Sequence, residues 1–309
     1  MRTSATAGGQ LGAALIMALL AVAFATTMAA ALIWRQDVWL RQVEAQRDLA
    51  QTRLITTAGI DWARAVLAFD ARTSSFDYAG EVWATKVPAT KVEDGEISGA
   101  ISDESGKWNL NNMLRDGHIS PEDTDVFRRL LRSLRLSAGL AETLADWLDA
   151  DSETMPGGAE DDYYLTLNPP YRTAGQVLSD VDDLLRVRGF DSVTVEQLRP
   201  FVNALPRYNP VNVNTASAIV LSALLPSMSL AEVQQLIAQR DRIPLRNASD
   251  LRLLITRPDA IAGAGPLDTK STYFTVRVNA HYRRAAIATE ALLERQPNDW
   301  PRIIWQKYE

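Results

Sequence analysis

Cysteine is absent from the 309 residues. That excludes disulfides, thiolate-bound metals and cysteine nucleophiles, whatever the compartment. Histidine is nearly absent. His118 and His281 are the only two and lie far apart, so a histidine-rich zinc site has no ligands. Basic residues do not dominate: 32 Lys and Arg against 38 Asp and Glu give a net charge of −6. A dedicated nucleic-acid binder needs a basic surface for its phosphate contacts, and this balance argues against one. Catalytic signatures are missing too, with no G-x-S-x-G, H-E-x-x-H, P-loop or G-x-G-x-x-G. Helix breakers are scarce at the front. No Pro precedes Pro88, and Gly59 is the only Gly between Ala13 and Asp70.

What fills that front is an apolar run. From Ala13 to Trp34 no residue carries a charge, which meets the roughly 20 residues a helix needs to cross a bilayer. A cleaved export signal is the alternative, with Ala29–Ala31 as its small-residue site. The continuation argues against it. Val43, Ala50, Leu54, Ala58, Trp62, Ala65 and Phe69 recur at steps of three, four and seven, one face of a helix. The pattern predicts a single helix over Ala13–Phe69, apolar all round at first and amphipathic later. Trp34 and Trp39 fall where interfacial aromatics belong.

Asp70–Lys91 reads as loop. Ile97, Gly99 and Ile101 alternate as a short strand. Two stretches then look like one unit used twice. "WNLNNM" (Trp108–Met113) and "VNVNTA" (Val211–Ala216) each precede two apolar helices separated by a short break. Asn112 or Thr215 would cap the following helix. The second unit, Val211–Leu251, is similar to a helix-hairpin-helix module. Its hairpin, Pro226-Ser227-Met228-Ser229, has no Gly to expose amides to phosphate. Glu142–Asp162 holds eight carboxylates and no Lys or Arg. Such a loop is either solvated or neutralised by a hard cation such as Ca²⁺. The spacing is not that of an EF-hand. At the end, Ser271–Tyr282, Ala286–Arg295 and Arg302–Tyr308 read as an antiparallel meander with alternating faces.

A short leader ending in Gly, an apolar helix and an amphipathic continuation into a head resemble the type IV pilins and type II secretion pseudopilins. The patterns D-W-x-D-x-D, G-A-E-D-x-Y-Y and P-P-Y-R-x-A within Asp146–Phe190 resemble the K-type minor pseudopilins of the type II secretion system. The resemblance implies an α+β fold: a long N-terminal transmembrane and amphipathic helix on a small antiparallel sheet, the pilin-like head, with a large inserted all-α domain. The expected divisions are a leader over 1–12, a membrane segment over 13–34, and the first part of the head over 35–105. The insert follows over 106–267, in units of about 108–200 and 201–267, and the head strands close the chain over 268–309.

The resemblance further implies cleavage between Gly12 and Ala13 by a prepilin peptidase, with Gly9–Gln10 as runner-up. Met17 then stands where most members carry Glu. Val43, Ala50, Leu54 and Ala58 would form the partner-binding face. The expected partners are I- and J-type minor pseudopilins in a tip complex, the prepilin peptidase, the inner-membrane secretion platform and the lipid bilayer, with no nucleic acid. The expected location is the inner membrane, single-pass, with a cytoplasmic N-terminus and a periplasmic head. Family members bind calcium in the helical domain, which turns the acidic loop into an expected calcium site. Asp149, Asp151, Glu160 and Asp161 are the expected ligands, and Asp146 is taken as a helix-side residue. No enzymatic activity is expected. The alternatives are a membrane-anchored periplasmic DNA-uptake protein and a membrane-tethered hydrolase.

Overall fold

The computed structural model describes residues 8–247, 249–255, 261, 263–297 and 299–308, with side chains from Gly12 onward. Most of the leader, including Arg2, lies outside the described residues.

The chain opens with helix α1 (Gly8–Thr73), about 100 Å long at 1.5 Å per residue. Strands β1 (Val87–Val92) and β2 (Gly95–Asp103) follow. The insert then begins with β3 (Trp108–Asn109), a 3₁₀ turn over Leu110–Met113, and the small hairpin β4 (Leu114–Arg115) and β5 (His118–Ile119). Helices α2 (Pro121–Ser133), α3 (Leu140–Leu148), α4 (Asp161–Tyr164) and α5 (Ser192–Leu198) come next. The second half holds β6 (Val202–Asn203), β7 (Val211–Asn212), α6 (Ala218–Leu224), α7 (Leu230–Arg240), α8 (Asp250–Leu254) and β8 (Leu267–Asp268). Strands β9 (Tyr273–Tyr282), β10 (Ala285–Glu294) and β11 (Arg302–Tyr308) close the chain.

The head is a five-stranded sheet in the order β1-β2-β9-β10-β11, antiparallel throughout. Phe274, Val276, Val278, Ala280 and Tyr282 alternate toward α1, as their period of two requires. Ile60, Ala63 and Leu67 of α1 pack on Phe274, Val276, Val278, Ala291 and Leu293. The helix lies close to the sheet at Gly59, where a Cβ would come within 2.8 Å of Val278. That approach explains the single glycine of the amphipathic half. Every described side chain from Gly12 to Arg47 is exposed, so α1 projects free of the head along its apolar half.

Two expectations need correction. Asp70–Lys91 is not all loop, because Val82–Ala84 forms a 3₁₀ turn and Val87–Val92 is the edge strand β1. Pro88 hides it in the sequence. Proline cannot donate to a ladder and is confined to edges and irregularities, and the β1–β2 register shifts between Val87 and Thr90. The two expected units of the insert share a core. Each is closed by a parallel strand pair, β3 with β6 and β7 with β8, but one core runs from Trp108 to Leu251 through both. Last, neither Asn112 nor Thr215 caps a helix. Asn109 caps the first turn by accepting from Asn111 N, and Ser217 caps α6.

The remaining asparagines tie distant segments together. Asn111 accepts from Leu178 N at 2.8 Å and donates to Leu178 O and Leu205 O, both at 2.9 Å. Asn214, the equivalent residue of the second unit, accepts from Leu245 N at 2.9 Å and donates to Leu245 O at 2.8 Å. Both amides are buried and close on a backbone N–H and C=O together, so neither group of the clasped residue is left unsatisfied.

Candidate metal centre and assembly face

Helix α3 ends by turning its last acidic residues inward. Asp146 and Asp149 are three residues apart, a spacing that puts both on one side of a helix end. The chain then loops out through Pro156 and Gly157 and returns at Glu160, the residue before α4. Asp146, Asp149 and Glu160 are all buried, and one carboxylate oxygen of each lies within 4.8 Å of the other two. Met155 N donates to the Asp146 carboxylate at 3.2 Å. Asp149 Oδ1 and both Glu160 oxygens are buried without a hydrogen-bond partner. Gly158 is pressed against this cluster, and a Cβ there would sit 1.9 Å from Asp146 Oδ2. The floor beneath is aromatic. Trp147 meets Tyr164 and Tyr171 edge-on, at 5.1 and 6.2 Å between ring centres. The D-W, Y-Y and P-P-Y patterns thus build one frame around the carboxylates.

Burial, with Asp151 and Asp146 nearby, pushes the Asp149 carboxyl up to about 6. Burial, then Asp149 and Asp146, pushes Glu160 up to about 7. Burial also raises Asp146, against the pull of backbone donors at Met155 and Ala159. Three buried like charges with orphaned oxygens are costly unless a cation or protons compensate them. The donor set is all hard oxygen, which suits Ca²⁺ and not a soft metal.

The placement differs from the expected ligand set. Asp149 and Glu160 meet there, and Asp146 joins them from the buried side of α3, not as a bystander. Asp151 is exposed and accepts from Glu153 N at 2.8 Å. Asp161 turns away to Arg172 Nη1 at 3.1 Å and to Thr173. Glu142 pairs with Arg128 of α2 at 2.7 Å. The loop carries no cation of its own, but the fold brings Arg128 and Arg172 to its carboxylates and Arg188 to Gly158 O at 2.9 Å. The i, i+3 pair 146/149 beside Trp147 was the sequence signal for the missing ligand.

On α1, the residues assigned to a partner face point outward. Val43, Ala50, Leu54 and Ala58 are exposed, Leu54 at 64% and the next stripe residue, Trp62, at 50%. An apolar cleft of about 420 Å³ opens beside them between α1 and the β1–β2 hairpin, lined by Ala58, Trp62, Val87, Val92 and Ile97. Gly12 and Ala13 lie inside α1, and Met17 is exposed on its apolar half. His118 and His281 are both on the surface. The α6–α7 hairpin spends its helix start on a capping box between Ser229 and Glu232.

The sequence profile described as "Type II secretion system (T2SS), protein K" matches residues 106–207 and, in a second part, residues 211–277. The type II secretion system protein K of Pseudomonas aeruginosa is 35% identical over 280 residues, 87% of this chain and 84% of that protein. The chain belongs to the type II secretion system protein K family. Protein K of Pectobacterium carotovorum is 34% identical over 250 residues, 76% of each. A solved structure, the GspK-GspI-GspJ complex from the type 2 secretion system of enterotoxigenic Escherichia coli, contains a chain with the same fold. Its TM-score is 0.75 at 22% identity, covering 87% of this chain and 99% of that one. In this family the chain is a minor pseudopilin of type II secretion, an α+β protein anchored by one N-terminal apolar helix.

Proposed function

We propose that this K-family chain is a structural, non-enzymatic subunit that caps the periplasmic pseudopilus together with I- and J-type minor pseudopilins. A prepilin peptidase cuts between Gly12 and Ala13. The head then stands in the periplasm, with the N-terminus on the cytoplasmic side of the inner membrane, where the secretion platform extracts it. The observation that carries this is the outward stripe Val43–Ala50–Leu54–Ala58–Trp62, which runs from the free part of α1 onto the stretch whose opposite side, Ile55 to Leu67, packs on the sheet. An apolar stripe of that length is a liability unless another chain covers it, and helices cover such stripes with side chains at heptad-like spacing. The apolar cleft beside Trp62 gives a partner side chain a place to enter. The relative solved as a GspK-GspI-GspJ complex supports I- and J-type partners. Met17 removes the carboxylate that would pair with a neighbour's amine inside lipid, which favours an end position over an interior one.

The same reading gives the insert a structural calcium ion on Asp146, Asp149 and Glu160. Asp151 and Asp161, the other expected ligands, are left to their own partners. The ion supplies charge to orphaned oxygens and fixes the return of the loop onto α3. The test is co-purification of the head with two small pseudopilin heads, for the native chain and for Leu54→Glu. A native head that stays alone, or a variant that binds equally well, ends the proposal. Sequencing of the mature N-terminus should begin at Ala13; a start after Ala31 would mean a cleaved signal and no pilin-like anchor.

A further inference from the structure

Three carboxylates and a single guanidinium meet where α1 ends. Asp70 stands in the last turn of α1, where the helix dipole disfavours a further negative charge. Arg295, just past β10, donates from Nη1 to Asp70 Oδ2 at 2.8 Å and from Nη2 to Asp77 Oδ2. One oxygen each of Asp70, Asp77 and Glu81 lies within 4.8 Å of the others. Glu81 Oε2 accepts from Tyr78 N at 3.1 Å and from Trp83 Nε1 at 2.7 Å. Asp77 is buried. Ser271 N donates to its Oδ2 at 2.7 Å, while its Oδ1 is enclosed with no partner. From β2, the Asp103 carboxyl, pushed up to about 6 by burial, adds a further negative neighbour above that pH and titrates below the Asp70 midpoint. Arg72 and Lys270 are exposed. Negative groups therefore outnumber the one enclosed cation.

A buried acceptor without a donor bears its full desolvation cost. A hydrogen on the adjacent Asp70 carboxyl would remove that cost and one of the repelling charges together. We propose that Asp70 and Asp77 share one proton, and that this proton latches the end of the long helix to the seam where the insert rejoins the head.

The seam is built on Asp77. Its N–H donates to Thr269 O at 2.8 Å, and its carbonyl accepts from Asn212 Nδ2 at 3.1 Å. Asn212 belongs to the insert and also donates to Ser271 Oγ at 2.7 Å. Ser271 Oγ donates in turn to Asp103 at 2.7 Å. Anything that shifts Asp77 therefore shifts α1, the insert and β9 together. Burial first, then Glu81 and Asp77, pushes the Asp70 carboxyl up to about 7, with Arg295 pulling the other way. The folded pKa lies above the unfolded one, so the fold favours the neutral form. The latch strengthens as pH falls through about 7 and loosens as it rises.

The experiment uses the full chain in detergent micelles with saturating calcium, so that the acidic loop does not titrate in the same window. Infrared difference spectra between pH 8 and pH 6 report protonated carboxyl groups. Hydrogen exchange, corrected for its intrinsic pH dependence, reports the backbone of residues 74–81 and 269–272. The native chain should gain a carboxyl band with a midpoint near 7, and its seam should become better protected on acidification. In Asp70→Asn the side-chain amide donates to Asp77 permanently. That band should be lost, and protection should be high at both pH values. Asp77→Asn should move the midpoint of the remaining Asp70 titration toward the ordinary carboxylate range. Identical spectra for the native chain and Asp70→Asn overturn the proposal. An Asp77→Asn chain whose midpoint stays near 7 overturns the sharing.

Discussion

Glu160→Gln should stabilise the protein in chelator and destabilise it, relative to the native chain, in calcium. The amide is the same size as the carboxylate and carries no charge. Without an ion, native Glu160 is a buried group raised to about 7 beside Asp149, raised to about 6. At pH 7.5 both are largely ionised, and the fold bears their repulsion. Gln removes one charge and offers a donor to the orphaned Asp149 Oδ1. With calcium the order inverts. A site with a Kd of about 10⁻⁵ M at about 1 mM calcium gains roughly 2.7 kcal/mol from binding. For a protein of this size that is a Tm rise of about 4 °C. Loss of one of three charged ligands removes most of that gain. Thermal melts followed by tryptophan fluorescence, in EGTA and in calcium, give four midpoints that should cross. A native chain indifferent to calcium, or two chains with equal responses, refutes the reasoning. The pH arm has a definite sign. The folded pKa values of Glu160 and Asp149 lie above their unfolded values, so in chelator acidification from about 7.5 to 5.5 should stabilise the native chain. In calcium the same acidification should destabilise it, as protons displace the ion.

Other perturbations separate packing from assembly. Asn111→Ala and Asn214→Ala each strand a buried backbone pair and should cost about 3 kcal/mol in urea melts; a loss under about 0.5 kcal/mol would mean that the clasps carry no stability. Gly158→Ala places a methyl on Asp146 Oδ2, so calcium affinity measured by calorimetry should fall at least about tenfold with the fold retained. Leu67→Ala empties a fully buried site between helix and sheet and should cost about 2–5 kcal/mol. Ala58→Arg, on the exposed stripe, should change stability by less than about 0.5 kcal/mol yet abolish capture of the partner heads.

The legible parts of the chain were those whose geometry is local. A helix free of proline announces α1, and a period of two announces β9 to β11. The two arms of α1 also show how periodicity misleads. The apolar stripe from Val43 to Phe69 is the strongest signal, yet it faces outward. The sheet-facing side uses Thr52, Thr56 and Gly59 among its apolar residues, because the helix comes too close for larger ones. Long-range facts stayed hidden. β1 exists because β2 offers it a partner despite Pro88. Asp146 becomes a site residue because a loop twelve residues later lays Gly158 on it. The clasps of Asn111 and Asn214 stayed hidden because nothing nearby in sequence reveals Leu178 or Leu245 as their backbone partners.

The insert leaves the head after β2 and returns into β9, and these two strands are neighbours, with Asp103 opposite Phe274. Both of its stems therefore emerge side by side from the middle of the sheet. Tension pulled along α1 enters the sheet through Ile60, Ala63 and Leu67 and spreads between hydrogen-bonded strands, and it meets the helical block at the Asp77–Asn212 seam. Hung from two adjacent strands, the block can vary in size without altering how α1 seats on the sheet.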